Sequence, residues 1–294
     1  MTMMTKVHEQ TLTIEFASVV TLSVSSGLLV FLSFSQALGY SAPPSPQLLG
    51  PQPPFPFLQP ELSATQRSAC TLTPSLVEVE GTPQQIEGPY FVDDVPNRSD
   101  IRIDTSNRSV QEGTPLRLIL HVYDVNDSDG DGTGSCTPLK DVKVDIWHSN
   151  SQGVYSGVQD AGTSENDFLR GNQMTDDNGT VQFATFYPGW YEGRAIHIHV
   201  KVRTFEGSNE DLEWTSQFYL NNSINELVHT QPPYSNHGPV DLTNEEDFIY
   251  TGPSTDGLIQ NNTGKHLMLN LKDDRDGYVG TFTIGLNATQ SGEQ

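Results

Sequence analysis

The sequence predicts an all-β protein, an antiparallel β-sandwich with long loops. Three observations lead there. Apolar residues alternate with polar ones in several short runs, the period of a half-buried strand. Turn formers are plentiful, with 25 Gly and 19 Pro in 294 residues, and they separate those runs closely. Helical signals are few; "TNEED" at 243–247 opens at most one short turn.

In chain order, residues 16–38 form an uncharged apolar stretch. It is long enough for a membrane span, and small residues at Ser35 and Ala37 also suit a secretory cleavage site. Residues 1–38 are therefore read as a signal peptide, with a retained membrane anchor as the alternative. Residues 39–66, "SAPPSPQLLGPQPPFPFLQP" at their centre, are a Pro-rich linker that favours extended polyproline geometry. Residues 67–288 form the β-sandwich domain, and 289–294 are a tail. The expected location is secreted, or membrane-anchored with the domain outside. In that setting two cysteines, Cys70 and Cys136, indicate one disulfide. A net charge of −22 argues against nucleic acid and anionic membrane surfaces as partners. Nothing in the sequence reports the oligomeric state.

The strands follow in order. "PLRLILHVYDV" alternates Leu116, Leu118, Leu120 and Val122; "DVKVDIWHS" alternates Val142, Val144 and Ile146; "GTVQFATFYPG" alternates Val181, Phe183 and Thr185. "HIHVKVR" comes next, and "HLMLNLK" and "GYVGTFTIGL" close the domain around the turn "DDRDG". Between the first two strands, "DVNDSDGDGTG" at 124–134 carries Asp127, Asp129 and Asp131 at alternate positions. It lacks the later bidentate glutamate of a calcium loop and is read as an acidic turn.

Chemistry concentrates in "FYPGWYEGRAIHIHVKV", residues 186–202. His197 and His199 share one strand face, while Ile196, Ile198 and Val200 share the other, so the strand buries one side and offers two imidazoles on its opposite side. Tyr191 and Arg194 precede them in the turn, and Tyr155 stands on a loop just after a strand. Two phenols beside two imidazoles, with no nearby cysteine or third histidine, do not make an ordinary zinc site. Hard anionic oxygen donors favour ferric iron. A phenol with an ordinary pKa near ~10 ionises at neutral pH only against a cation.

These residues stand within longer runs: "TPQQIEGPYFVDDVPNRSDIR", "PLKDVKVDIWHSNSQGVYSG", "FLRGNQMTDDNGTVQFATFYPGWYEGRAIHIHVKV" and "WTSQFYL". Together the runs resemble the intradiol ring-cleavage dioxygenases over roughly residues 70–286, and most closely their compact secreted branch. The resemblance implies a β-sandwich fold and a non-heme Fe(III) held by Tyr155, Tyr191, His197 and His199. Tyr191 and His197 would be the axial pair and Tyr155 and His199 the equatorial pair. It further implies that Arg194 faces the substrate ring, that Tyr191 also takes part in proton transfer, and that Gln217, Pro89 and Tyr90 line the pocket. The implied substrates are a catechol-type diol and O2, and the product a cis,cis-muconate-type diacid. A β-sandwich binding module that kept the scaffold without turnover is the alternative. Only "EGRAI" separates Tyr191 from His197, where the intracellular relatives carry a longer insertion, and a Pro-rich linker stands where the catechol enzymes carry a helical dimerisation region.

Overall fold

In the computed structural model, residues 81–126, 135–206 and 209–287 are described, and all fall in the compact unit 53–294. The segments 1–38, 39–66 and 289–294, Cys70, and Asp127, Asp129 and Asp131 of the acidic run lie outside the described residues. Cys136 stands on a strand, but its expected pairing with Cys70 therefore lies outside them too. Among the described residues no helix is long and apolar enough to cross a membrane.

Among the described residues nine strands form two sheets: β1 (Pro115–Asn126), β2 (Ser135–Pro138), β3 (Lys143–Trp147), β4 (Arg170–Met174), β5 (Thr180–Phe186), β6 (His197–Glu206), β7 (Asn209–Tyr219), β8 (Asn270–Asp274) and β9 (Gly277–Leu286). The first sheet runs β2-β1-β9-β8, with β5 also on β1; the second runs β4-β3-β6-β7. The expected sandwich is present, with one correction: β1 and β9 pair parallel, Leu116 opposite Tyr278 through Asp124 opposite Leu286. A parallel pair needs a long crossover between its strands. Most of the domain lies between these two, so the chain has ample length to return in the same direction.

Strand alternation explains the core. Leu116, Leu118, Leu120 and Val122 of β1 are fully buried, as are Val144, Ile198, Val200 and Val202 from the second sheet, with Phe183 and Ile284 beside them. At such sites Leu→Ala costs about 2–5 kcal/mol. The expected strand at 266–272 is shorter than its alternation suggests, because β8 begins at Asn270. Leu267 and Leu269 are buried, yet their backbone bonds go to Tyr219 of β7. The chain thus changes sheets between them and β8.

Two short helices follow β7. Helix α1 (Asn222–His229) starts where the Asn221 side chain accepts the Ser223 N–H, and α2 (Phe248–Thr251) starts at Asp247, whose side chain accepts from Ile249 and Tyr250. A side-chain acceptor at the first turn satisfies otherwise orphaned N–H groups. The "TNEED" stretch does form a turn, closed by reciprocal Thr243 and Glu246 contacts. Helix α1 is an addition to what the sequence suggests; it is too short to show a helical period clearly.

The outer face of the second sheet is the surprise of the fold. His197, His199, Lys201 and Arg203 all point away from the core, yet each is at most 5% exposed. An extended arm, residues 82–100, covers them. It bonds to the β7 edge through Gln85 N to Thr215 O at 3.0 Å and ends on β4 through Arg98 N to Asn172 O at 3.0 Å. Between those points Asp93 pairs with Arg203 at 2.7 Å, Glu87 pairs with Lys201, and the Phe91 ring lies 4.2 Å from Lys201 Nζ. The strand therefore buries both of its faces.

Candidate metal centre

Strand pairing places the site's first residues. In the β3-β6-β7 ladder Trp147 stands opposite His199, and His199 opposite Gln217; His197 stands opposite Tyr219. The His199 ring is held by Trp147, stacked at 4.9 Å and 5°. The His197 ring is held by its Nδ1–H, which donates to the Ala195 carbonyl at 2.6 Å. That bond leaves the lone pair on Nε2, the tautomer a metal ligand needs. His199 Nδ1 is buried without a hydrogen-bond partner, so the Trp147 stack, rather than a bond at Nδ1, orients that ring.

Two loops bring in the tyrosines. After β3 the chain turns on Asn150, whose side chain accepts the N–H of Gln152 and of Val154, each at 3.0 Å. Gly153 takes φ +75°, where a Cβ would meet the Trp190 carbonyl, and the turn delivers Tyr155 to the cluster. The Asn150 carbonyl also accepts the Gly189 N–H at 3.1 Å, and Ser149 Oγ donates to the Gly189 carbonyl at 2.8 Å. The Tyr155 and Tyr191 loops are thereby stapled together.

Three of the side chains converge on one atom of the fourth. His197 Nε2 lies 3.1 Å from His199 Nε2, 3.2 Å from Tyr191 Oη and 3.5 Å from Tyr155 Oη. Bonds of about 2.0–2.2 Å to a first-row cation set neighbouring ligands roughly 3–3.6 Å apart, so this donor set has the spacing of a metal polyhedron. The Tyr191 phenol lies against the His197 imidazole lone pair. Among the described residues no three His, Cys, Asp or Glu side chains gather to hold a metal, so the phenols complete this set.

Burial governs the charge here. It pulls both imidazoles well below their usual range, helped by Arg194 at His197 and by His197 and Arg194 at His199. It also raises the Tyr155 phenol well above its usual range, with Tyr191 adding to the effect. Burial raises the Tyr191 phenol as well, against the pull of Arg194. Neutral imidazoles are ready to coordinate, and the phenols need a cation to ionise. The residues fit a hard, highly charged ion.

Arg194 lies over this cluster with every nitrogen engaged. Nε donates to Asp247 Oδ2 at 2.9 Å, Nη2 to Gln217 Oε1 at 2.5 Å, and Nη1 reaches Tyr191 Oη at 3.5 Å. Gln217 is fully buried and ties the covering arm by donating to the Ile86 carbonyl at 2.9 Å. Tyr90 stacks on Tyr155 with ring centres 4.6 Å apart. Pro89, one residue earlier, is exposed. Gly88 takes φ +76°, and a Cβ there would lie 3.4 Å from His199 Cε1, so the arm crosses the imidazole where only glycine fits without strain.

Sequence reasoning missed three contributors. Asp247 is fully buried and accepts from both Arg194 Nε and the Ala195 N–H; its only local signal was a helix-capping position. Arg170 is 1% exposed, donates through Nε to the Ser156 carbonyl at 3.0 Å, and stands 5.9 Å from the Tyr155 ring centre. Trp147, at the end of β3, stacks on His199; its sequence context marks only a strand end.

The fold is a two-sheet β-sandwich, and its donor set joins two phenols to two imidazoles. The family model described as "Dioxygenase" matches residues 86–222. Catechol 1,2-dioxygenase of Acinetobacter baylyi is 33% identical over 115 residues, covering 37% of this chain and 32% of that protein. Chlorocatechol 1,2-dioxygenase of Cupriavidus pinatubonensis is 30% identical over 142 residues, covering 42% of this chain and 50% of that protein. The match thus spans a third to a half of the length of these curated relatives. Among solved structures, an intradiol ring-cleavage dioxygenase from Tetranychus urticae is 28% identical with a TM-score of 0.58, covering 74% of this chain and 97% of that one. Together these comparisons support the intradiol ring-cleavage dioxygenase family for this chain, a family of oxidoreductases whose members use non-heme Fe(III).

Proposed function

We propose that this chain cleaves a catechol-type aromatic diol between its two hydroxyl-bearing carbons, consuming O2 and giving a cis,cis-muconate-type diacid. Catechol plus O2 has the composition of muconic acid, so both oxygen atoms enter the product and no external reductant is needed. The observation that carries this reading is the convergence of Tyr155, Tyr191 and His199 on His197 Nε2. Tyr155, Tyr191, His197 and His199 would hold a non-heme Fe(III). When bound, that ion supplies a Lewis acid that chelates the ionised diol and draws its ring electrons toward reaction with O2.

The chain's own residues do the rest. Tyr191 is the more exposed phenol and stands at the rim, where its Oη accepts one of the two catechol protons. Arg194 is fixed by Asp247 and Gln217 and places a permanent positive charge beside the ring as negative charge builds there. A preorganised charge in a water-poor site costs no reorganisation during reaction. Tyr90, stacked on Tyr155, walls the site against water. The apolar stretch 16–38 supports export of this activity, with cleavage or retention as an anchor read by N-terminal sequencing of the mature chain.

The test is a visible spectrum with an iron assay. A broad phenolate-to-iron band is expected; it should shift on anaerobic catechol and decay with muconate formation when 18O2 enters, two labelled atoms per product. A chain that stays colourless after ferric reconstitution overturns the iron site and leaves a binding module. A coloured chain without turnover of any catechol overturns the reaction alone.

A further inference from the structure

A second cavity, about 400 Å3 in volume, opens between α1 and the loop 239–246. None of the four donor residues lines it. Its wall is unusual in what it offers. The side-chain donors that line it are already engaged: Asn222 Nδ2 by Glu245, Asn225 Nδ2 by the Leu220 carbonyl, Thr230 Oγ1 by the Leu227 carbonyl and Thr243 Oγ1 by Glu246. No Lys or Arg lines the space.

Acceptors remain. His229 is 4% exposed, and its Nδ1–H donates to the Asn225 carbonyl at 2.7 Å. Nε2 must then carry a lone pair, and it is buried with no hydrogen-bond partner. An unpaired buried polar atom costs about 1–3 kcal/mol, which a donor from an occupant would recover. Glu226 lines the same space from an exposed position on α1, and Asp241 lines it from the loop. Pro239, Val240 and Leu242 supply an apolar side. Acceptors and negative charge without a free donor reject an anion and suit a cationic donor.

We propose that this cavity binds a small organic amine, an ammonium group on a compact apolar body, with His229 Nε2 and the Glu226 and Asp241 carboxylates as its acceptors. The site adjoins the catalytic turn, because Asp241 Oδ2 also accepts the Gly193 N–H at 2.8 Å. Binding itself requires neither iron nor turnover, so it stands or falls apart from the dioxygenase reading.

The experiment titrates the full chain calorimetrically with 2-phenylethylamine, and with phenylacetate as a near-isosteric anion. The amine is expected to bind and the anion not to. Glu226→Lys, at an exposed position, should weaken the amine about tenfold or more, equivalent to ~1.4 kcal/mol. His229→Phe keeps a ring against Tyr187 and Tyr234 but removes the acceptor, and should abolish binding; thermal unfolding confirms that it folds. Equal binding of amine and anion, no amine binding at millimolar concentration, or an unchanged affinity in Glu226→Lys each overturns the proposal. Should His229→Phe fail to fold, the Glu226→Lys result decides alone.

Discussion

Asp247 Oδ2 accepts from Arg194 Nε at 2.9 Å, and the carboxylate is wholly buried while Arg194 is 12% exposed. The same oxygen accepts the Ala195 N–H. One carboxylate thus fixes both the side chain and the backbone of the turn that leads into His197. Asp247→Asn keeps an oxygen for the α2 cap but leaves the guanidinium without its buried partner. Losing one member of a buried pair costs about 3–5 kcal/mol, and misplacing a catalytic group by about 1 Å costs roughly a hundredfold in rate. The expected result is a kcat lowered on the order of tenfold to a hundredfold with iron content per chain unchanged, measured by steady-state kinetics and metal assay.

Arg170 is a buried cation, and among the described residues no carboxylate pairs with it. Burial lowers its pKa to about 10, which still leaves it charged at neutral pH. It clamps the Ser156 carbonyl and side chain, directly after Tyr155, and its charge lies beside the Tyr155 ring. Arg170→Leu removes that charge and strands the Ser156 carbonyl, a loss of about 1–3 kcal/mol of stability. A phenolate without its cation gives up electrons more readily, so the visible band of the iron-loaded variant should move to longer wavelength. Absorption spectra beside a denaturant titration check both effects.

Gly88 and Gly193 separate strain from contact. Both hold positive φ, +76° and +81°, but a Cβ at Gly88 would press 3.4 Å from His199 Cε1 while one at Gly193 meets nothing within 4 Å. Each Gly→Ala change should cost about 1 kcal/mol through the backbone. Only Gly88→Ala should also weaken iron retention, read as iron lost to a chelator over time.

Stability should rise with pH between about 4 and 6.5 partly through one histidine. His148 is fully buried, with Nδ1 donating to the Ser149 carbonyl and Nε2 accepting from Thr185. Burial pulls its pKa down to about 4, against roughly 6.5 in an unfolded chain. In that window the unfolded chain binds the proton and the folded one does not, so acid favours unfolding. The gain is complete above the unfolded value and is lost as pH falls toward the folded one, about 3 kcal/mol in all. Urea titrations at several pH values should show His148→Gln with a shallower slope across this window than the parent.

The sandwich was legible because strand burial writes itself into every second residue. Leu116, Leu118, Leu120 and Val122 alternate in the chain and are buried in the fold. His197 and His199 announced a shared face in the same way. The arm 82–100 was not legible, since an extended segment bonded to a strand edge and to side chains shows no period. For the same reason the sequence left the histidine face open, whereas Gln217, Tyr90 and Gly88 bring the arm across it.

What the sequence by itself determined is the strand pattern, the turn that carries Tyr191 and Arg194 into His197 and His199, and the residue types able to hold a hard cation. Those depend on neighbours a few positions away, and local spacing records them. Tertiary structure alone decided that β9 runs parallel to β1, that Asp247 answers Arg194 across 53 positions, and that Arg170 stands under Tyr155. Such contacts join side chains whose distance in space bears no relation to their distance in sequence. Only the closed core, by fixing both ends at once, makes them neighbours.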